Sequence, residues 1–110
     1  MRTVLAINST GMGHGDSELG SKILQTLLNK ASALQGLETI VFYNAGVKLL
    51  VEGSSYLPSL AALDRSGVDL IACGTCVDHF GLREAVKVGE VGSMDAILAA
   101  LNEADKVITI

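Results

Sequence analysis

Short apolar runs alternate with longer segments of helical periodicity along the whole chain. Consecutive apolar and β-branched positions mark the runs at residues 3–8, 39–43, 68–73 and 106–110, and this pattern predicts buried strands. The segments between them have apolar residues three, four and seven positions apart, which predicts helices. Strands that are apolar on both faces and joined by helices form parallel sheets. We therefore expect an α/β fold with a mostly parallel central sheet covered on both sides.

The longest helical pattern covers residues 16–34. Its apolar positions form one broad face, made of Leu19, Ile23, Leu24, Leu27, Leu28, Ala31 and Leu34. Asp16 can cap the start of this helix, and Gly36 marks its end. Further helices are predicted from residue 54 or 55 to Gly67 and from residue 93 to about 101, with a short helical turn after the cysteines. Residues 88–91 form a small segment bounded by glycine.

The composition fits one small domain spanning residues 1–110, with 49% hydrophobic residues and a mean hydropathy of +0.45. A net charge of −4, a pI near 4.9 and the lack of a basic run argue against nucleic acid or a membrane as partner. With no Trp and two Cys, the chain lacks material for stacking a flat cofactor, and we expect no cofactor. The opening residues 1–7 are too short for a signal segment, so we expect a cytoplasmic protein with reduced thiols.

Both cysteines lie in one C-x-x-C pair at the end of a predicted strand. Cys73 ends the strand, and Cys76 begins the next element. Gly74 and Thr75 between them are small residues that let the chain turn. Three chemistries use two thiols at this spacing, namely thiol–disulfide exchange, persulfide relay and metal ligation. Unpaired amides at the start of the turn stabilise a thiolate, so we expect one reactive thiol; two inert buried cysteines are the alternative.

Parallel sheets bind ligands outside the carboxyl ends of their strands, and this rule gathers other loops near the cysteine pair. We assign to this crevice residues from the loops after the first and second strands, together with Gly74 and Thr75: Ser9, Thr10, Gly11, Gly13, His14, Asn44, Gly46 and Lys48. The glycine-rich loop opens a helix, so its amides could bind an anion, or it could be a turn without a ligand. Lys48 could add positive charge to the crevice or lie in solvent.

The residues alone allow two further interpretations of the cysteine pair. Cys73, Cys76, His79 and His14 could form a tetrahedral zinc site, but three ligands would have to come from one tight turn, and we predict no metal. Thioredoxin-type exchange uses the same spacing. The chain has no Trp before its first cysteine and no Pro between the two, so a dithiol oxidoreductase is a secondary interpretation.

A series of ordered motifs resembles a known family. The motifs are residues 11–16, 19–20, 42–49, 52–54, 73–76, 80–82, 88–89 and 93–94. Together they resemble the DsrE-like domain of the YedF group of sulfurtransferase-like selenium-metabolism proteins, over essentially all 110 residues. The resemblance implies the DsrE-like three-layer α/β/α fold, often assembled as trimers or hexamers.

The same resemblance implies roles for the two cysteines. Members of the wider DsrE family carry sulfur as a persulfide on one cysteine in the loop after this strand. Judged by its distance to Gly81, Cys73 corresponds to that sulfur-accepting cysteine, and Cys76 is the additional cysteine of the YedF-like pattern. YedF proteins typically begin with a SirA/TusA-like domain bearing its own cysteine. A stand-alone DsrE-like domain would take sulfur or selenium from a separate protein, or would have lost the relay role.

We therefore predict a sulfur or selenium carrier, sulfurtransferase-like if enzymatic. Cys73 would hold the sulfane sulfur, and Cys76 would release it by forming a disulfide. The expected partners are a donor protein and an acceptor protein. The alternative is a non-enzymatic small-ligand or regulatory binding module that uses the glycine loop, with the C-x-x-C pair as a redox sensor.

A homo-oligomer, trimeric or hexameric, is also expected. Val47, Leu49, Leu50 and Val51 form an apolar run directly after the second predicted strand, where a small domain has little interior left to bury it. An exposed patch of this kind marks an interface. Burial beneath the chain's own helix is the competing explanation, and the assembly implied by the resemblance favours the interface.

Overall fold

Five parallel strands form the central sheet of the computed structural model, which describes residues 1–110. The strands are β1 (Thr3–Ile7), β2 (Leu37–Phe42), β3 (Asp69–Cys73), β4 (Glu90–Gly92) and β5 (Lys106–Thr109). Their order across the sheet is β4-β3-β2-β1-β5, and every neighbouring pair is parallel. The predicted α/β fold is confirmed, with a sheet that is parallel throughout.

Four α-helices connect the strands: α1 (Ser17–Lys30), α2 (Leu57–Arg65), α3 (Gly74–His79) and α4 (Met94–Glu103). Three 3-10 segments add to them, at Ala31–Ala33, Asn44–Leu50 and Arg83–Ala85. None of these helices combines the length and apolar character that crossing a membrane requires.

The start of α1 follows the sequence pattern more closely than its end does. The Asp16 carboxylate accepts a hydrogen bond from the Leu19 N–H at 2.9 Å, as expected of a helix cap. The helix predicted to residue 34 stops at Lys30, and the chain tightens into a 3-10 turn before Leu34 becomes extended. Its buried face is also narrower than its apolar pattern, because Leu19 is 55% exposed.

The two faces of the sheet are covered unequally. The larger core cluster has 17 residues and packs the sheet against α1, α2 and the 3-10 segment Asn44–Leu50. The smaller cluster has five residues, to which α4 contributes Ile97. Alternate residues of each strand belong to different clusters, so Ala72 faces the larger core and Cys73 faces the α4 side. The Cys73 side chain, at the end of β3, therefore lies on the side of the sheet that has the smaller core cluster.

The apolar run after β2 is buried within the chain itself, which overturns the interface argument based on it. Val47 and Leu50 are 0% exposed and Leu49 is 2% exposed, all three in the larger core cluster, while Val51 is half-buried. The run forms a 3-10 segment that turns inward beneath α2 instead of lying on the surface. Burial beneath the chain's own helix is thus the correct explanation, and the homo-oligomer stays a prediction.

The short edge strand β4 is the one strand that the sequence pattern does not predict. It pairs with β3 over three residues, Ile71 with Glu90, Ala72 with Val91 and Cys73 with Gly92. A three-residue strand ending in glycine has too little β propensity to stand out from a loop. From this edge, α4 crosses the sheet to β5 at the opposite edge.

Candidate functional site

The two cysteines occupy the junction between β3 and α3. Cys73 is extended and caps α3, which begins at Gly74. A Cβ on Gly74 would lie 3.2 Å from the Gly92 carbonyl oxygen and 3.3 Å from the Arg83 guanidinium, so glycine allows the close approach of both. The C-x-x-C spacing therefore places Cys76 in the first turn of a helix that starts directly at the sheet.

The two thiols differ in exposure. Cys73 is 1% exposed and packs in the cluster with Val41 and Ile97. Cys76 is half-buried, and Tyr43 packs beside it against the same cluster. Both cysteines are free. The first cysteine thus lies beneath the surface and the second at its edge.

The pKa values of the two thiols move in opposite directions. Burial is the largest influence on Cys73 and raises its pKa, but hydrogen bonds from the backbone and side chain of Cys76 and of Thr75 together outweigh it, and the pKa is lowered. Burial raises the pKa of Cys76, the Asn44 amide opposes this, and the hydrogen bond and charge of Cys73 raise it further. These two shifts favour a negative charge on Cys73 and a proton on Cys76.

Asn44 connects the loop after β2 to the second cysteine. Its backbone N–H donates a hydrogen bond to the Cys76 Sγ at 3.1 Å. Asn44 is the one residue other than glycine with a positive φ, at 50°. Asparagine tolerates this left-handed conformation better than most residues do. The predicted gathering of the second and third loops is therefore realised in a direct contact.

Gly46 holds the first two loops together. A Cβ on Gly46 would lie 2.1 Å from the Ile7 carbonyl oxygen, so no other residue fits there without movement of the backbone. The Tyr43 N–H donates to the same oxygen at 3.1 Å, and the Asn8 side-chain amide donates to the Tyr43 hydroxyl at 3.2 Å. Asn8 and Tyr43 are not among the site residues assigned from the sequence, although both adjoin residues that are.

The glycine loop forms a separate site. Ser9, Thr10, Gly11 and Gly13 line a polar cavity of about 290 Å³ against the start of α1, together with Ser17, Glu18, Gly20 and Ser21. No cysteine lines this cavity, and the exposed His14 does not line it either. The single crevice expected from the sequence is thus wrong for this loop, because the loop folds back onto α1 through a hydrogen bond from the Met12 N–H to the Gly20 oxygen.

Lys48 is directed to an aromatic ring. Its Nζ lies 4.4 Å from the centre of the Phe80 ring, at the end of α3, and forms a cation–π contact. The groups that shift the pKa values of the two thiols are each other, Thr75 and Asn44, and Lys48 is not among them. Of the two alternatives left open for Lys48, support of the thiolate by its charge is not seen, and hydrogen bonds lower the pKa of Cys73 instead.

The histidines do not assemble a metal site with the cysteines. No group of three or more His, Cys, Asp or Glu side chains is arranged to hold a metal ion. His79 is exposed and packs edge-on against Phe80, with ring centres 5.3 Å apart. The four residues considered for zinc are thus not brought together.

An ion pair that the sequence analysis missed braces α3. The Arg83 guanidinium donates two hydrogen bonds to the Asp78 carboxylate, at 2.7 and 3.0 Å. These bonds hold the pKa of Asp78 below its usual value. The sequence signal for this pair is the five-residue spacing between Asp78 and Arg83, which have opposite charges and flank Gly81. The pair ties the end of α3 to the segment that passes over Gly74.

We expect the titration of the thiols to show two steps, one below and one above the usual range for cysteine. Thr75→Val should raise the pKa of Cys73 because it removes the hydroxyl that donates to the thiolate. Valine and threonine have side chains of nearly the same shape, so little else should change. Cys73→Ser should lower the pKa of Cys76 because it removes a neighbouring negative charge. Ultraviolet absorbance of the thiolate against pH measures both. One step at the ordinary value for two thiols would contradict the assignment of charge.

Three solved structures share the fold. The ychN protein from E. coli is 18% identical, with a TM-score of 0.72 and coverage of 100% of both chains. The protein of unknown function MTH1491 from Methanobacterium thermoautotrophicum is 22% identical, with a TM-score of 0.74 over 99% of this chain and 98% of that one. The conserved protein of unknown function BT1422 from Bacteroides thetaiotaomicron is 19% identical, with a TM-score of 0.66 over 97% and 94%.

The family follows from the sequence together with this fold. A comparison with curated proteins found no match. The sequence model of the DsrE/DsrF-like family matches residues 1–110. The resemblance to a DsrE-like domain is confirmed by this match, and the narrower YedF type stays a prediction. A full-length match, a parallel five-stranded sheet and three structures of the same architecture lead to one conclusion: the chain belongs to the DsrE/DsrF-like family.

Proposed function

We propose that this protein carries sulfane sulfur, or selenium, on Cys73 and passes it on with the help of Cys76. The observation that carries this proposal is the position of Cys73 at the carboxyl end of β3, where hydrogen bonds from Cys76 and Thr75 lower the pKa of its thiol. The DsrE/DsrF-like family, which is associated with sulfur relay, supports it. A thiolate is the form of cysteine that accepts sulfur, and a lowered pKa increases the fraction of thiolate at neutral pH.

Loading needs a donor persulfide, R–S–SH. The Cys73 thiolate attacks the outer sulfur of the donor, a new S–S bond forms on Cys73, and the donor's S–S bond breaks. The donor leaves as the thiolate R–S⁻ and takes up a proton. An acceptor thiolate removes the sulfur from Cys73 by the same exchange, so the cycle needs no oxidant.

Burial of Cys73 restricts the donor. Because Cys73 is 1% exposed, a donor can reach its sulfur only after local movement of the residues around it. The neighbouring helix α3 has six residues, and local opening of so short an element costs much less than global unfolding. A donor that presents its persulfide on a small molecule or a narrow segment therefore fits this site better than a broad flat surface.

Mass spectrometry after incubation with a persulfide donor tests the proposal. The protein should gain about 32 Da, one sulfur atom, that survives removal of the donor and is released by a strong reductant. Cys73→Ser should lose this stable adduct. Loading with a selenium donor under the same conditions identifies the preferred element, since the two added masses differ.

Cys76→Ser is the matched control for this experiment. It leaves Cys73 in place and removes the second thiol, so the adduct should form and persist longer than in the unaltered protein. A stable adduct on Cys73→Ser at the level of the unaltered protein would contradict the assignment of Cys73 as the carrier.

The polar cavity at the glycine loop favours a second candidate function. Its volume of about 290 Å³ and its serine, threonine and glycine lining suit a small polar ligand, which is the binding-module alternative. Because no cysteine lines this cavity, ligand binding there should be unchanged in Cys73→Ser. Calorimetric titration of small polar metabolites into both proteins separates this function from sulfur transfer.

A further inference from the structure

We propose that the backbone amide of Asn44 positions Cys76 and stabilises its thiolate for the step that releases sulfur from Cys73. This inference rests on the proposed function and adds a residue to it. The amide lies 3.1 Å from the Cys76 Sγ, close for a hydrogen bond from nitrogen to sulfur. Asn44 is therefore a positioning residue, since it acts through Cys76 and touches no transferred atom.

The conformation of Asn44 supports a dedicated role. Its φ of 50° makes it the one left-handed residue in the chain that is not glycine. A residue with a side chain adopts this conformation at a cost of about 1 kcal/mol, and asparagine is among the few that do so often. The conformation begins the 3-10 segment Asn44–Leu50, whose apolar side chains anchor it in the larger core cluster. The amide is thus fixed by the core and not by a mobile loop.

The release step balances within the protein. The Cys76 thiolate attacks the Cys73 Sγ and forms a disulfide, and the bond from Cys73 to the outer sulfur breaks. The outer sulfur is reduced and leaves as HS⁻, taking the proton that Cys76 lost, while the Cys76 sulfur is oxidised and the Cys73 sulfur keeps the oxidation level that it had in the persulfide. A thiol reductant then returns the disulfide to two thiols. The step therefore requires Cys76 to be ionised and held against Cys73.

Loading of Cys73 changes the balance of forces on Cys76. Before loading, burial raises the pKa of Cys76, and the hydrogen bond and charge of Cys73 raise it further. After loading, the Cys73 Sγ is bonded to sulfur and the negative charge lies one atom further out. The Asn44 hydrogen bond lowers the pKa of Cys76. After loading it is opposed by burial and by a more distant negative charge, so the pKa of Cys76 falls. The second thiol is thus protonated while the site is empty and easier to ionise once it is full.

Other titratable groups near Cys76 do not account for this behaviour. Cys73 is the titratable group that shifts the pKa of Cys76. Neighbouring elements carry further ionisable side chains that do not shift it: Tyr43, Lys48, Asp78, His79 and Arg83. The Arg83 and Asp78 side chains neutralise each other, and Lys48 is directed to Phe80. A change in the ionisation of Cys76 on altering position 44 therefore reports on the amide.

Two variants at position 44 test the inference in the Cys73→Ser background, where no sulfur transfer is needed. Asn44→Gly keeps the left-handed conformation and the N–H, whereas Asn44→Val disfavours that conformation and moves the N–H away. The rate of Cys76 alkylation against pH should be unchanged in the glycine variant. In the valine variant the midpoint should move to higher pH and the rate at neutral pH should fall roughly tenfold.

The same variants with Cys73 present test the release step. Sulfide release from loaded Asn44→Val should be roughly tenfold slower than from loaded Asn44→Gly. An alkylation profile in Asn44→Val equal to that of Asn44→Gly would overturn the role of the amide. Should the valine variant fail to fold, Asn44→Ala gives the same direction with a smaller shift. Failure of the unaltered protein to load sulfur would refute the proposed function. It would leave the contact between the Asn44 amide and the Cys76 thiolate untouched, because the alkylation profile is measured without loading.

Discussion

Leu50→Asp should prevent the domain from folding. Leu50 is 0% exposed in the larger core cluster, where a carboxylate would have no partner. Burying an unpaired charge costs several kcal/mol, and the loss of apolar packing adds about 2–5 kcal/mol. Their sum approaches or exceeds the total stability of a small domain, about 5–15 kcal/mol. Circular dichroism and urea unfolding should show a chain without a cooperative transition.

Leu98→Asp is the matched control because Leu98 is 61% exposed on α4. The same change there should alter the free energy of unfolding by about 0.5 kcal/mol or less. The contrary result would be a folded Leu50→Asp protein with an unchanged unfolding midpoint and a lower mass in light scattering than the unaltered protein. That result would show that the apolar run forms an intermolecular interface.

Gly46→Ala should destabilise the protein strongly and disturb the cysteine site with it. The added methyl group would lie 2.1 Å from the Ile7 carbonyl oxygen, closer than any real contact. Overpacking against backbone costs about 3 kcal/mol, since no flexible side chain can yield. The movement required would separate the loops after β1 and β2 and carry Asn44 away from Cys76. Urea unfolding measures the first effect, and the pH profile of Cys76 alkylation measures the second.

Gly53→Ala separates this clash from a general cost of replacing glycine. Gly53 has a φ of 90°, but a Cβ there would meet nothing within 4 Å. Its replacement should cost about 1 kcal/mol through the left-handed backbone and leave the cysteines unaffected. Equal losses of stability in the two variants would show that the contact with Ile7 is not tight.

Much of the secondary structure was predictable because its signals are local. The β-branched runs of β1, β2, β3 and β5 lie within about two residues of their predicted bounds. Asp16 caps α1 because a side chain three residues from an unpaired N–H reaches it in any context. Strand β4 escaped prediction because its residues become a strand only through pairing with β3.

The candidate site was predictable in part. Spacing alone puts Cys76 in the turn after Cys73, and the rule for parallel sheets brings Asn44 to the same edge. The rule does not say on which side of the sheet each loop folds. The glycine loop therefore lines its own cavity against α1, and Lys48 meets Phe80, both by side-chain packing between segments distant in sequence.

The α/β fold, the Asp16 cap and the placement of two thiols at a strand end follow from the sequence alone, because periodicity and spacing act over a few residues. The burial of the run after β2, the packing of Gly46 on Ile7 and the contact of the Asn44 amide with Cys76 are visible only in the three-dimensional structure. Burial and hydrogen bonding depend on which distant segments meet. The pKa of Cys73 is lowered by its near neighbours in the chain, Cys76 and Thr75, whereas the amide that bonds to Cys76 comes from Asn44, 32 residues away.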